Sequence, residues 1–228
     1  MKKTILAILM VLPTLAMASG GAHLDKADFD LHNKESLQSG ARLFVNYCLS
    51  CHSAAYQRYN RMAEDIGLTE AQVKSNLMFA AEKTGETMTV AMQTEDAKVY
   101  FGTKVPDLSV VARARGADWL YTYLTTFHTD DSRPFGVNNT TFKDVGMPHV
   151  LWELEGMKKL VNADEMQAHP GTAPKFETVT EGKMSAAEYD NAMHDLTAFM
   201  VSPTFSPANI KLLLTCALVK PISSAIRL

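Results

Sequence analysis

Cysteine is scarce in this chain, with three in 228 residues: Cys48, Cys51 and Cys216. An odd count with two of them three apart argues against an ordinary disulfide framework. A structural zinc site lacks ligands as well, because no second Cys/His pair answers Cys48 and Cys51, and Cys216 stands alone. Basic residues do not outnumber acidic ones (22 Lys and Arg against 25 Asp and Glu), and no basic stripe runs through the sequence. That speaks against nucleic-acid binding. Internal repeats and low-complexity segments are missing, and strand-like alternation is confined to short pieces. The apolar run over residues 4–15 is too short to span a bilayer comfortably.

That run has a better reading. Met1-Lys2-Lys3 precedes it and Ala16-Met17-Ala18, a small-x-small pattern, follows it. Together they predict a secretory signal over residues 1–18, with an uncleaved N-terminal anchor as the alternative. The mature chain would start near Ser19 and carry 20 basic against 25 acidic residues, a net charge of about −5. Its length suits one domain with a real core, expected over residues 19–201, followed by a tail over 202–228.

Several helices are predicted. Leu37, Ala41, Phe44, Val45 and Cys48 recur at helical spacing and lead into the cysteine pair. Thr69 and Gln72 have capping-box spacing ahead of a helix expected to run to about Gly85. Trp119, Leu120, Tyr123, Leu124 and Phe127 form another stripe. Ser185 and Glu188 repeat the capping-box spacing before the face of Tyr189, Ala192, Met193, Leu196, Phe199 and Met200. Residues 129–146 and 162–183 read as long irregular stretches rich in Pro, Gly and Asn, which a buried cofactor would explain by supplying core.

Cys48-Leu49-Ser50-Cys51-His52 is Cys-x-x-Cys-His, the attachment motif of haem c. Two thiols must reach two vinyl groups on one porphyrin edge, and the next residue must put an imidazole under the iron. A redox dithiol is the rival, but it wants a preceding strand, whereas an amphipathic helix is predicted here. For the sixth iron position the composition leaves a choice open. Met147, in the rigid turn Gly146-Met147-Pro148, competes with Met157 and His149.

Beyond the haem motif, three features stand in order. Ser53 and Tyr56 follow His52. Val105-Pro106-Asp107-Leu108-Ser109 precedes Arg113-Ala114-Arg115-Gly116. Val145-Gly146-Met147-Pro148 comes last. In this the chain resembles the cytochrome c1 family from about residue 39 to 199. The resemblance implies a mostly helical, class I cytochrome c-like domain with long loop insertions and one covalent haem c. It implies His52 and Met147 as iron ligands and Cys48 and Cys51 as attachment points. Pro106 would lie beside the proximal histidine, and Arg115 would pair with a haem propionate. Trp119 takes the place of a tyrosine near the propionates in some relatives, with core packing as its other reading. The helix before Cys48 and the helix over 186–200 would cross and close the domain.

The family also implies a C-terminal membrane anchor, and here the chain departs. Pro203, Pro207, Lys211, Lys220 and Pro221 interrupt the tail, and its longest piece free of both charge and proline covers only residues 212–219. A short interfacial tail and a reading-frame change near Val201 are the two explanations.

The resemblance implies an exported redox subunit on the periplasmic face of the inner membrane, with no catalysis of its own. Its partners would be cytochrome b, a Rieske iron–sulfur protein as donor and a soluble cytochrome c as acceptor. Two alternatives are a soluble or peripheral carrier for another dehydrogenase and a peroxidase-type haem enzyme with an open sixth position.

Overall fold

The computed structural model describes residues 23–90 and 92–205. The expected leader over 1–18, and the tail beyond Phe205 with Cys216, lie outside the described residues.

Helix α1 (Lys34–Leu43) starts where the Asn33 side chain accepts from the Ser36 amide, with Glu35 in its first turn and Arg42 in its last. It continues as a wider π-helical turn, Phe44–Cys48. The apolar face survives this junction: Leu37, Ala41, Phe44, Val45 and Cys48 are all buried. Strand β1 (Ala54–Arg58) follows, then α2 (Tyr59–Ile66), which stops at Gly67 in the left-handed conformation (φ 73°). The expected capping box forms at Thr69 and Gln72 and opens α3 (Glu70–Asn76). This helix is shorter than its spacing predicts. Leu77 and Met78 turn into the core, and the carbonyls of Thr84 and Glu86 accept from the amides of Asn60 and Tyr59. Strand β2 (Thr87–Met88) then pairs antiparallel with β1.

The second half alternates short helices and ladders. Helices α4 (Thr94–Phe101), α5 (Val111–Arg115) and α6 (Ala117–Thr125) lead to β3 (Phe127–Thr129), which pairs antiparallel with β4 (Val137–Asn139). A single turn, α7 (Trp152–Glu155), runs into β5 (Gly156–Leu160). Helix α8 (Ala163–Ala168) separates β5 from its antiparallel partner β6 (Phe176–Glu181). Helix α9 (Ala186–Val201) opens on the second capping box, Ser185 with Glu188, and ends in a 3-10 turn, Pro203–Phe205. The protein is thus helix-rich, with three two-stranded sheets among the described residues. Two of them lie wholly or partly in stretches that read as irregular. No described helix is long and apolar enough to cross a membrane.

The core sits where α1 crosses α9. Phe44, Phe199 and Phe205 meet there, with ring centres 5.2–5.6 Å apart. Ser36 bonds Asp195 across the same contact. Phe205 and Thr204 are buried, so packing continues four residues past Val201. Gly40 makes the crossing possible: a Cβ there would stand 2.1 Å from the Asp195 carbonyl oxygen and 2.7 Å from Phe199 Cβ. Gly40→Ala gains about 1 kcal/mol of helix propensity. The clash is with backbone, which cannot rotate away, and overpacking of this kind costs roughly 1–3 kcal/mol or more. A net loss of stability is therefore expected, read as a lower urea midpoint, whereas a helix-surface glycine would give a higher one.

Candidate haem site

The turn that ends α1 continues directly into the cysteine motif. The amides of Cys51 and His52 donate to the Cys48 carbonyl at 3.1 and 2.8 Å, so the motif is wound as one tight turn. Neither thiol is in a disulfide. Burial, with a smaller contribution from Cys51, pushes the Cys48 thiol up to about 12, and it keeps its proton at neutral pH.

The His52 ring is fixed by one bond: Nδ1 lies 2.8 Å from the Pro106 carbonyl oxygen. A carbonyl only accepts, so Nδ1 carries the proton and Nε2 keeps its lone pair. Burial holds His52 below its ordinary value, partly offset by the Pro106 bond and the Asp107 charge. The imidazole is therefore neutral at pH 7 and able to ligate a metal through Nε2.

Pro106 is itself held by a clasp. Asp107 accepts from the amides of Ala55 (2.9 Å) and Ser109 (2.8 Å). The Leu108 amide donates to the Ser53 carbonyl at 2.8 Å, and the Tyr56 amide donates to Ser109 Oγ at 3.1 Å. The Pro-Asp-Leu-Ser segment is thus bound, bond for bond, to the residues just after His52.

Cys51, His52 and Pro106 share the wall of an open, largely apolar cleft with about 480 Å³ of empty space including its mouth. Met147 stands on the same wall, as do Tyr47, Phe101 and Val150. Two buried asparagines build the loop that brings Met147 there. Asn138 Oδ1 accepts from the Asp144 amide at 2.8 Å, where Asp144 adopts φ 62°. Asn139 Oδ1 accepts from the amides of Thr141 and Phe142. The Tyr123 hydroxyl donates to the Met147 sulfur at 3.3 Å. Burial raises Tyr123 above its ordinary value, so it stays protonated.

Of the residues singled out from the sequence, the cleft joins Cys51, His52, Pro106 and Met147, while Cys48 lies in the same turn, buried in the core. Arg115 is not on the cleft wall. Its guanidinium carbon sits 4.9 Å from the Trp119 ring centre and 5.9 Å from that of Phe142. The rivals for the sixth position stand elsewhere. His149 is buried, stacked on Phe127 at 5.0 Å with Nε2 2.9 Å from the Glu155 carboxylate. Met157 is in β5, packed against the small Phe127–Val137–Val145 cluster. Sequence reasoning missed the Asp107 clasp, the Asn138 and Asn139 scaffold and the Tyr123 hydroxyl. Only Tyr123 left a trace, as a phenol on an apolar stripe in need of a partner.

The donor set fits a haem c: two unpaired thiols, a neutral imidazole with a free Nε2, and a thioether around one apolar cleft. These are the groups that a c-type cytochrome requires. A family model described as the Cytochrome C1 family matches residues 25–201. The chain is 47% identical over 205 residues to cytochrome c1 of Allochromatium vinosum, covering 88% of this chain and 83% of that one. It is 46% identical over 202 residues to a protein named ammonia monooxygenase gamma subunit from Nitrosomonas europaea, covering 88% and 82%. The chain belongs to the cytochrome c1 family, and membership makes it an electron-transfer protein with a c-type haem.

Replacing Asp107 by Ala leaves two amides without their acceptor. The expected result is a loss of about 1–3 kcal/mol in denaturant unfolding, with faster hydrogen exchange at Ala55 and Ser109. Unchanged exchange at both amides would show that Asp107 does not hold the clasp.

Proposed function

We propose that the chain is the haem subunit of a quinol:cytochrome c oxidoreductase, taking electrons from a Rieske iron–sulfur protein and passing them to a soluble cytochrome c, with cytochrome b as its membrane neighbour. The observation that carries this reading is the meeting of His52 and Met147 on one cleft beside the Cys-x-x-Cys turn, together with family membership. When bound, haem supplies a reversible one-electron couple.

The residues around it have separate tasks. Cys48 and Cys51 hold one haem covalently, since the chain has one such motif. His52 would hold the iron through Nε2, and the Pro106 carbonyl, accepting a hydrogen bond from Nδ1–H, would make that ring a stronger donor. Met147 would hold the iron through its thioether, which favours electron transfer over oxygen or peroxide chemistry and raises the potential. Arg115 would hold a haem propionate by a charge-assisted contact. The domain follows a class I cytochrome c plan. A mildly acidic mature surface steers a basic acceptor. The leader directs export, and the domain works at the periplasmic face of the membrane, held by its tail or by its complex.

A second reading, a carrier serving a different oxidoreductase, is supported by the name of the Nitrosomonas europaea relative. The partners that co-purify with the haem-loaded chain separate the two. Cytochrome b and an iron–sulfur protein support the first reading, and their absence alongside another oxidoreductase supports the second.

The site is tested by haem staining and ligand binding on the full chain matured in an exporting host. Double replacement of Cys48 and Cys51 by Ala should abolish the covalent haem band. Met147→Ala should keep the band, lower the potential and let the reduced protein bind carbon monoxide within the mixing time. Equally rapid binding by the unmodified protein would count against Met147 as a ligand and favour an open, peroxidase-type site.

A further inference from the structure

Tyr123 is the one residue on the α6 stripe whose side chain reaches the methionine loop with a polar atom. Its hydroxyl donates to Met147 Sδ at 3.3 Å. A thioether sulfur has two lone pairs, so one can face a metal while the other accepts this bond. A buried phenol in need of any partner has stronger acceptors elsewhere in this fold. Tyr189 takes the Leu124 carbonyl at 3.0 Å, and Tyr121 takes the Asp190 carboxylate. Tyr123 instead spends its proton on a weak acceptor.

The phenol is clamped in place. Trp119 stacks on it at 5.1 Å and 10°, and Phe127 meets it edge-on at 5.2 Å and 73°. The Asn139 side-chain amide donates to the Tyr123 carbonyl at 2.8 Å, while Asn139 Oδ1 accepts from Thr141 and Phe142 in the loop that leads to Met147. Helix α6 and the methionine loop are therefore tied twice, through Asn139 and through the hydroxyl-to-sulfur bond.

Resting on the reading that Met147 ligates the iron, we infer that Tyr123 is a positioning residue for this ligand, holding the thioether in one orientation and drawing electron density from its sulfur. A sulfur that donates less supports the oxidised iron less, so reduction becomes more favourable. Trp119 and Phe127 serve this bond by denying the phenol any other rotamer.

The test compares the haem-loaded full chain with its Tyr123→Phe variant. Phenylalanine keeps the ring packing and removes only the donor. The expected variant retains covalent haem and the ferric methionine–sulfur charge-transfer band, while its reduction equilibrium constant against a fixed mediator falls roughly three- to tenfold, the effect of one lost hydrogen bond. A retained band with an unchanged equilibrium constant overturns the inference. Absence of that band from the unmodified protein overturns Met147 ligation itself, and the inference falls with it. If the variant does not mature, proton NMR of the reduced unmodified protein decides. A slowly exchanging Tyr123 hydroxyl proton with a cross-peak to the Met147 methyl supports the bond, and no such proton refutes it.

Discussion

Gly40 has no side chain, and the backbone of α9 occupies the space that one would fill. The crossing of α1 and α9 at that point holds α1 in place, and α1 winds on through the π-helical turn into the cysteine motif. From Gly40 to Cys48 the chain never leaves helical winding, because a π-helical turn carries it past Leu43. The wider turn keeps Phe44, Val45 and Cys48 on the buried side. The positions of Cys51 and His52 are thus inherited from a helix-to-helix contact and not from the motif itself.

The two walls of the cleft are held by different means. On the histidine side, one carboxylate and two further hydrogen bonds lock residues 53–56 to residues 106–109, so the Pro106 carbonyl cannot drift from His52. On the methionine side, the loop over residues 140–151 contains no helix of its own. Asn138 and Asn139, poor strand formers placed in a strand, satisfy the loop's amides with their own side chains. A rigid cleft of this kind suits a protein whose task is to hold a redox group without rearranging around it.

Legibility varied with the range of the forces involved. Both capping boxes were readable, because the bonds lie within three residues of one another. The α1 face and the α9 face were readable from periodicity. The pairing of β5 with β6 was not. β6 is exposed along nearly its whole length, so its residues alternate in no pattern, and its ladder is made of backbone bonds that leave no mark on composition. The end of α3 was misjudged because Leu77 and Met78 continue an apolar rhythm but are drawn inward by contacts far along the chain. Arg115 rests its guanidinium over the Trp119 ring, a contact four residues apart that the hydrophobic stripe of Trp119 did not announce.

What the sequence by itself determined was chemistry of short range: two thiols and an imidazole in one turn, helix starts with their caps, and which helix faces must be covered. These depend on neighbours within a few residues. Only the tertiary structure decided which methionine shares the cleft with His52, which carbonyl fixes the imidazole tautomer, and which hydroxyl reaches the Met147 sulfur. The bond from Pro106 spans 54 residues and the bond from Tyr123 spans 24. At such separations the partner is set by how helices cross and loops close, and side-chain identity alone does not encode the distance.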